Sequence, residues 1–176
     1  VSSAASDVYK RQALPGSSRE FAVFYPGIYT GSYTSPMVRA EPQEAAVSDA
    51  RENTTMKLEA EPSERLTHQV DKQIHEHLDE CAAQDSLYPA GCPFSYQFDG
   101  RIQGRVSWSI KDYPTPYVSL DDAAAGRWHV SDSRGIARIE FTAVDLYDGT
   151  TSQVTDEVPF LLSADVRVTG DEVTLT

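Results

Sequence analysis

The sequence has little cysteine, no long apolar run and a shortage of positive charge. Only two of its 176 residues are cysteine, and no stretch approaches the roughly 20 apolar residues that cross a bilayer. It carries 15 lysine and arginine residues against 27 aspartate and glutamate residues, a formal net charge of −12. Because a surface of that sign repels phosphate, we expect no nucleic-acid partner.

Motifs for catalysis and cofactor binding are also missing. The sequence contains no glycine-rich phosphate loop, no nucleotide-binding fingerprint and no Gly-x-Ser-x-Gly elbow. Asp145, Asp148 and Gly149 lack the spacing of a calcium loop and are typical of a hairpin turn. Asp156 and Glu157, adjacent on a predicted strand, would point to opposite faces. We therefore predict no catalytic residue, no cofactor and no enzymatic activity.

The histidines do not indicate a metal site. His75 and His77 are two residues apart on a predicted helix and would point in nearly opposite directions. His75 and Asp79 share a face, with His68 two turns away from His75, but two ligands are fewer than a zinc site needs. His129 lies on the outward face of a predicted strand and has no nucleophile motif beside it.

The first residues are not typical of a folded protein. The chain has no initiating methionine, and the run that ends in Val8–Gln12 resembles a translated adaptor sequence from read assembly. On that interpretation the true protein enters near Ala13 and an upstream part has been lost. The alternative is an ordinary disordered N-terminus. Residues 1–19 are accordingly predicted as a disordered or artefactual segment.

Residues 20–61 predict a small all-β module. Pro26-Gly27 and Ser35-Pro36 are turn formers between stretches rich in β-forming residues. The four predicted strands are Glu20–Tyr25, Ile28–Thr34, Met37–Glu41 and Asn53–Ala60. Partner strands for this module are expected upstream of the sequence.

Residues 62–176 predict an α+β domain. Ser63 is a good N-cap and Glu64 suits the helix dipole. A single apolar stripe then follows, formed by Leu66, Val70, Ile74, Leu78 and Cys81.

After Cys92 the apolar residues alternate with a period of two, which predicts an antiparallel meander. The alternating residues include Phe94, Tyr96, Phe98, Val106, Trp108, Ile110, Ala137, Ile139, Phe141, Phe160, Leu162, Ala164 and Val166. The last strands should form a hairpin around Gly170-Asp171. We expect one long helix packed on this meander, of cystatin- or nuclear-transport-factor-like shape, with Trp108, Phe141 and Leu162 under the helix.

The two cysteines lie where the helix ends and the meander begins. Cys81 and Cys92 are separated by a polar loop with the turn formers Pro89 and Gly91. A disulfide there would pin the helix end to the sheet, and it would imply a compartment outside the cytoplasm. The alternative is a pair of buried free cysteines. The spacing does not suit a redox-active Cys-x-x-Cys pair.

Two stretches carry a family resemblance. Tyr25–Tyr29 resembles a Pro-Gly-x-Tyr turn of small envelope β-modules, and the segment from Cys81 to Phe94, with its Gly-Cys-Pro-Phe ending, is similar to one in actinobacterial single-span membrane proteins of unknown function. The resemblance implies the extracytoplasmic C-terminal region of such a protein. The span itself is missing here, which we attribute to upstream truncation. It brings no catalytic residues.

The leading functional hypothesis is a non-enzymatic extracytoplasmic domain, anchored in the membrane only through a missing N-terminal segment. Its role would be sensing or interaction with an unknown envelope component or protein. The alternative is a small-ligand-binding or hydrolytic domain with a pocket between helix and sheet. The aromatic residues that could line such a pocket are Tyr96, Trp108, Tyr113, Trp128 and Tyr147. A spacer module is a third hypothesis.

Overall fold

The computed structural model describes residues 20–49, 51, 53–122 and 127–176. In chain order the elements are β1 (Gly27–Thr34), β2 (Val38–Val47), β3 (Glu61–Pro62), α1 (Glu64–Ala82), β4 (Arg101–Asp112), β5 (Val118–Asp122), β6 (Arg127–Val144), β7 (Thr151–Thr169) and β8 (Glu172–Leu175). The predicted α+β class with antiparallel sheets is confirmed. The predicted N-terminal segment 1–19 lies outside the described residues.

The larger sheet has five antiparallel strands in the order β4-β6-β7-β8, with β5 beside β4 on the same edge of β6. The long strands β6 and β7 pair from Val144 and Thr151 at one end to Arg127 and Arg167 at the other. A register shift between Val130 and Ser133 interrupts this ladder. Such an irregularity bends the strand and increases its twist, which lets the sheet curl around one side.

Helix α1 covers the inner face of this sheet. Ser63 caps it as predicted, because its Oγ accepts a hydrogen bond from the Leu66 N–H at 3.1 Å. All five residues of the predicted apolar stripe are buried. On the sheet side the buried core includes Trp108, Trp128, Val130, Ile139, Phe141, Phe160 and Val166. Burial of one helix stripe on one sheet face is the main source of hydrophobic stabilisation.

The segment Phe94–Phe98 is not a strand, although its apolar residues alternate. It crosses the inner face of the larger sheet instead. The Phe94 ring packs against those of Trp108 and Phe160, at centroid distances of 4.9 and 5.4 Å, and Phe98 packs against Phe141 at 4.8 Å. The alternation therefore reflects a chain that is packed on one side.

The first part of the chain forms a three-stranded sheet in the order β1-β2-β3. Two of the four predicted strands are correct, since Glu20–Tyr25 and Asn53–Ala60 do not join a ladder. Asn53–Ala60 runs over β1, where the Met56 sulfur lies so close to Gly31 that a Cβ added there would meet it at 2.5 Å. Its alternation again reflects packing on one side.

The small sheet is docked on the larger domain by its β1–β2 turn. Met37 and Val38 are buried in the common core, whereas β2 beyond Ala40 is mostly exposed. Ser63 joins the two parts, because its N–H donates to the Met37 carbonyl at 2.9 Å and its hydroxyl donates to the Pro36 carbonyl at 2.6 Å. The open end of the β1–β2 hairpin therefore lies away from the core.

The structure joins Cys81 to Cys92 in a disulfide, with a Cα–Cα distance of 5.7 Å. Cys81 is buried at the end of the helix stripe, so the bond fixes this end against the loop that leads into Phe94–Phe98. No helix in the described part of the chain has the length and apolar character needed to span a bilayer.

We expect reduction of this disulfide to lower the free energy of unfolding by about 3 kcal/mol, since the bond closes a short loop in the unfolded chain. Urea unfolding of the oxidised and reduced protein measures the difference. The Cys81→Ser/Cys92→Ser variant should match the reduced protein and should not respond to reductant. Equal stability of the oxidised and reduced forms would contradict the prediction.

Candidate functional site

The space between α1 and the larger sheet is filled by side chains, and the five aromatic residues considered for a pocket do not converge. Trp108 and Trp128 are buried in the core. Tyr96 packs edge-on against Phe141, and Tyr147 lies fully exposed at the tip of the β6–β7 turn. Tyr113 lies on the outer side of the helix. Among the described residues, these five side chains therefore do not form one site between helix and sheet.

The best-defined polar cluster joins α1 to the segment Tyr113–Tyr117, which we call the strap. The Tyr113 ring stacks on the His75 ring at a centroid distance of 4.2 Å, and the Tyr113 hydroxyl donates a hydrogen bond to Asp79 Oδ1. His75 Nδ1 donates to the Asp71 carbonyl at 2.8 Å and lies 3.6 Å from the Asp71 carboxylate. The strap is thus held against the polar face of the helix.

This contact changes the acidity of the phenol. The hydrogen bond to the Asp79 carboxylate, together with partial burial and the carboxylate charge, raises the pKa of Tyr113 from 10.0 to about 12. A phenol with so high a pKa remains protonated and donates its hydrogen bond at neutral pH. Tyr113 therefore positions the strap and is not poised to act as a base.

Next to this cluster, the strap, β3 and the N-terminal half of α1 enclose an open groove of about 410 Å³, which we call the helix groove. Its lining residues are Arg39, Pro62, Glu64, Thr67, His68, Asp71, Thr115 and Pro116. The Arg39 guanidinium is paired with Glu61 at 3.4 Å. Glu64 and Asp71 consequently leave the groove with negative charge, while the two prolines give it apolar walls.

A second cluster lies on the outer face of the larger sheet. His129 faces outward as predicted, and its Nδ1 lies 3.1 Å from Asp165 Oδ1. Ser119 is its cross-strand partner on β5. The Ser119 hydroxyl, however, is directed to the main-chain oxygen of His129 at 3.5 Å. The three residues are neighbours, yet the serine is not directed at the imidazole as a nucleophile must be.

The remaining candidates have structural roles. Asp145 and Asp148 accept hydrogen bonds from backbone N–H groups within the β6–β7 turn, and those from Thr150 lower the pKa of Asp148. Asp156 and Glu157 point to opposite faces, as predicted. Asp156 accepts from the Tyr96 hydroxyl on the inner side, and Glu157 pairs with Lys111 at 2.7 Å on the outer side.

The described residues bring no three His, Cys, Asp or Glu side chains together as a metal site. His77 Nε2 lies 3.1 Å from the Gly91 carbonyl, beside the disulfide, whereas His75 contacts Tyr113 on another part of the helix surface. His68 lines the helix groove. The three histidines thus make different contacts in the structure.

Sequence reasoning missed both the helix groove and the Tyr113–Asp79 contact. The only signal was the Tyr113–Pro116 run itself, because prolines hold the backbone extended and a tyrosine at its end can reach a neighbouring polar face. Neither a family model, nor a curated protein, nor a solved structure matches the chain.

The raised pKa of Tyr113 predicts a specific loss of stability in alkali. The unfolded phenol loses its proton at lower pH than the folded one, so the stabilisation is present below pH 10.0 and is lost as the pH rises towards about 12. We expect the free energy of unfolding of the wild type to fall over this range relative to Tyr113→Phe, measured by urea unfolding at each pH. Asp79→Asn should lower the pKa of the phenol in ultraviolet titration. Parallel curves for the wild type and Tyr113→Phe would refute this assignment.

Proposed function

We propose that this chain is a non-enzymatic binding domain that works outside the cytoplasm, as part of a bacterial protein anchored in the membrane through a segment upstream. Its role is to contact an envelope component or a protein, or to sense one. The helix groove is the binding surface. The observation that carries the proposal is the Cys81–Cys92 disulfide at the junction of helix and sheet.

The location is supported by the redox chemistry of cysteine. Thiols are kept reduced in the cytosol of most cells, whereas disulfides persist outside it. Both cysteines of the chain are in the bond, and the bond fixes the end of the one helix in the described residues. A fold that relies on such a bond is suited to an oxidising compartment.

The binding role is supported by where the polar groups lie. The helix stripe and the inner sheet face fill the space between them, so an internal pocket of the kind the alternative requires is occupied by side chains. The helix groove combines negative charge from Glu64 and Asp71 with the apolar surface of Pro62 and Pro116. This combination suits a partner with positive charge and an extended shape.

The proposed shape of the domain and the role of the small sheet are supported by the arrangement of the helix and the two sheets. The one helix of the described residues lies on a curled antiparallel sheet, and this arrangement supports the proposal of a cystatin- or nuclear-transport-factor-like shape. The three-stranded sheet in front of it supports a small β-module that leads from the anchor to the domain. The actinobacterial origin rests on the resemblance of the Cys81–Phe94 segment alone.

The location is tested in intact cells of the bacterium that encodes the protein. After treatment with a membrane-impermeant phosphine reductant, an impermeant maleimide should label Cys81 and Cys92, and no labelling should occur without the reductant. The Cys81→Ser/Cys92→Ser variant is the control for specificity, and reduction of the purified protein under the same conditions is the control for access. Labelling that requires cell lysis would place the domain in the cytoplasm and defeat the proposal.

The binding surface is tested with a photoreactive amino acid introduced at two exposed places. We expect crosslinks to a partner from Thr115, at the helix groove, and not from Tyr147, at the opposite end of the sheet. Glu64→Gln/Asp71→Gln should lower the yield from Thr115, because it removes the negative charge of the groove. Equal yields from both positions, or a yield that does not change with the charge, would show that the groove is not the binding surface.

A further inference from the structure

A stretch without charge runs through the start of the described chain. No Asp, Glu, Lys or Arg occurs from residue 21 to residue 38, although 24% of the whole sequence is charged. Strand β1 lies entirely within this stretch. It is the outermost strand of the small sheet, and among the described residues it pairs with β2 alone. Within the described part of the chain, the backbone N–H and C=O groups on its second edge therefore have no strand partner.

Exposed apolar side chains are concentrated at the start of β1 and directly before it. Five of the twelve large hydrophobic residues that are exposed in the described chain lie between residues 21 and 28. Phe24 is 92% exposed and Ile28 is 73% exposed. Along β1 itself, Thr30, Ser32 and Thr34 continue the exposed row that begins with Ile28. The edge thus combines open hydrogen-bonding groups with apolar and β-branched side chains, which is the composition that pairs readily with another strand.

The outer strands of the larger sheet are protected against such pairing. Strand β4 carries Arg101, Arg105 and Lys111 and has two register shifts. Strand β8 is four residues long and begins with Glu172. The Gln73 side chain on α1 also donates a hydrogen bond to the Val173 carbonyl of β8 at 2.9 Å. Charge, irregularity and covering are the usual means of blocking an edge. Strand β1 has one register shift, between Gly31 and Tyr33, but it carries no charge, and no other described strand pairs with its second edge.

We propose that β1 pairs antiparallel with β1 of a second copy of this chain across a two-fold axis, in place of the upstream partner strands expected from the sequence. The pairing joins two three-stranded sheets into one sheet of six strands. Thr30 and Ser32 lie near the centre of the strand, so the contact at the axis is made by uncharged side chains and backbone hydrogen bonds.

Electrostatics favours a second copy as the occupant. In a two-fold antiparallel pair each residue near the axis faces itself or a close neighbour, so any charge there would oppose its own sign. Two chains of net charge −12 also repel each other over most of their surfaces. Residues 21–38 carry no charged side chain, so two copies can meet there without repulsion between like charges.

A lipid surface is a poorer occupant of the same edge. Hydrocarbon offers no partner for the open N–H and C=O groups of β1, and burying them without hydrogen-bond partners is unfavourable. The alternate Thr and Ser residues of β1 add hydroxyl groups that would also need partners in lipid. A strand satisfies all of these groups.

The test uses the purified 176-residue chain in sedimentation equilibrium. We expect a monomer–dimer equilibrium in the wild type and about tenfold weaker dimerisation in Thr30→Lys, because each lysine would face its counterpart at the new edge pair. The matched control is Thr174→Lys on β8, which should dimerise like the wild type. Both variants change the net charge from −12 to −12 + 1 = −11, which by itself would favour association. Weaker dimerisation in Thr30→Lys alone would therefore show that the effect comes from the changed position on β1 and not from the net charge.

Salt dependence provides a second readout. Dimerisation of the wild type should strengthen as the ionic strength rises from about 0.01 M to about 0.1 M, where screening shortens from about 30 Å to about 10 Å. A wild type that stays monomeric at all concentrations, or equal weakening by Thr30→Lys and Thr174→Lys, would overturn the proposal. So would a monomer that binds phosphatidylglycerol vesicles through β1, since lipid would then be the occupant.

A cysteine scan distinguishes two-fold pairing from a general loss of folding. Both native cysteines are in the disulfide, so Ile28→Cys, Thr30→Cys, Ser32→Cys or Thr34→Cys adds a single free thiol. Oxidative crosslinking should give covalent dimers with a maximum at Thr30 or Ser32 and a decline on both sides. Thr174→Cys on β8 is the control. Uniform crosslinking along β1, or an equal yield from Thr174→Cys, would exclude the paired edge.

Discussion

The apolar stripe of α1 can be buried in only one place, on the inner face of the curled sheet, and the rest of the molecule is arranged around that contact. The disulfide holds the C-terminal end of the helix, and Ser63 holds its N-terminal end while also binding the β1–β2 turn. The part of the sheet beyond the helix is covered by Phe94–Phe98. With the inner face occupied throughout, the polar side of the helix is left free to form a surface site.

Local patterns predicted the elements that depend on local physics. The helix has a cap and a stripe within its own residues, and the β7–β8 hairpin has alternation and a Gly170 turn. The same alternation also predicted strands in Phe94–Phe98 and Asn53–Ala60, and these two predictions were wrong. A period of two shows that one side of an extended chain is buried. It does not show that the backbone is paired, because that depends on neighbours distant in sequence.

The candidate site was less predictable for the same reason. Tyr113 and Asp79 are 34 residues apart, and nothing in either local sequence shows that the strap will lie on the helix. Ser119, His129 and Asp165 illustrate the opposite case, since the strand register brings a suggestive set of residues together. The serine hydroxyl is directed to the His129 main-chain oxygen, and this side-chain geometry, which the register does not determine, distinguishes the set from a nucleophilic triad.

The way the β1–β2 turn is docked determines how the molecule responds to mechanical force. Tension applied at residue 20 runs along the covalent backbone of β1 and arrives at the turn, where Met37 is buried and Ser63 binds Pro36. The load therefore reaches the helix at its N-cap, at the end opposite the disulfide. The N-cap end is held by hydrogen bonds and packing, so it yields before the covalent crosslink. We expect a pull from the N-terminal side to separate β1 from β2, beginning at the open end where Gly27 pairs with Val47, before it disturbs the helix–sheet core.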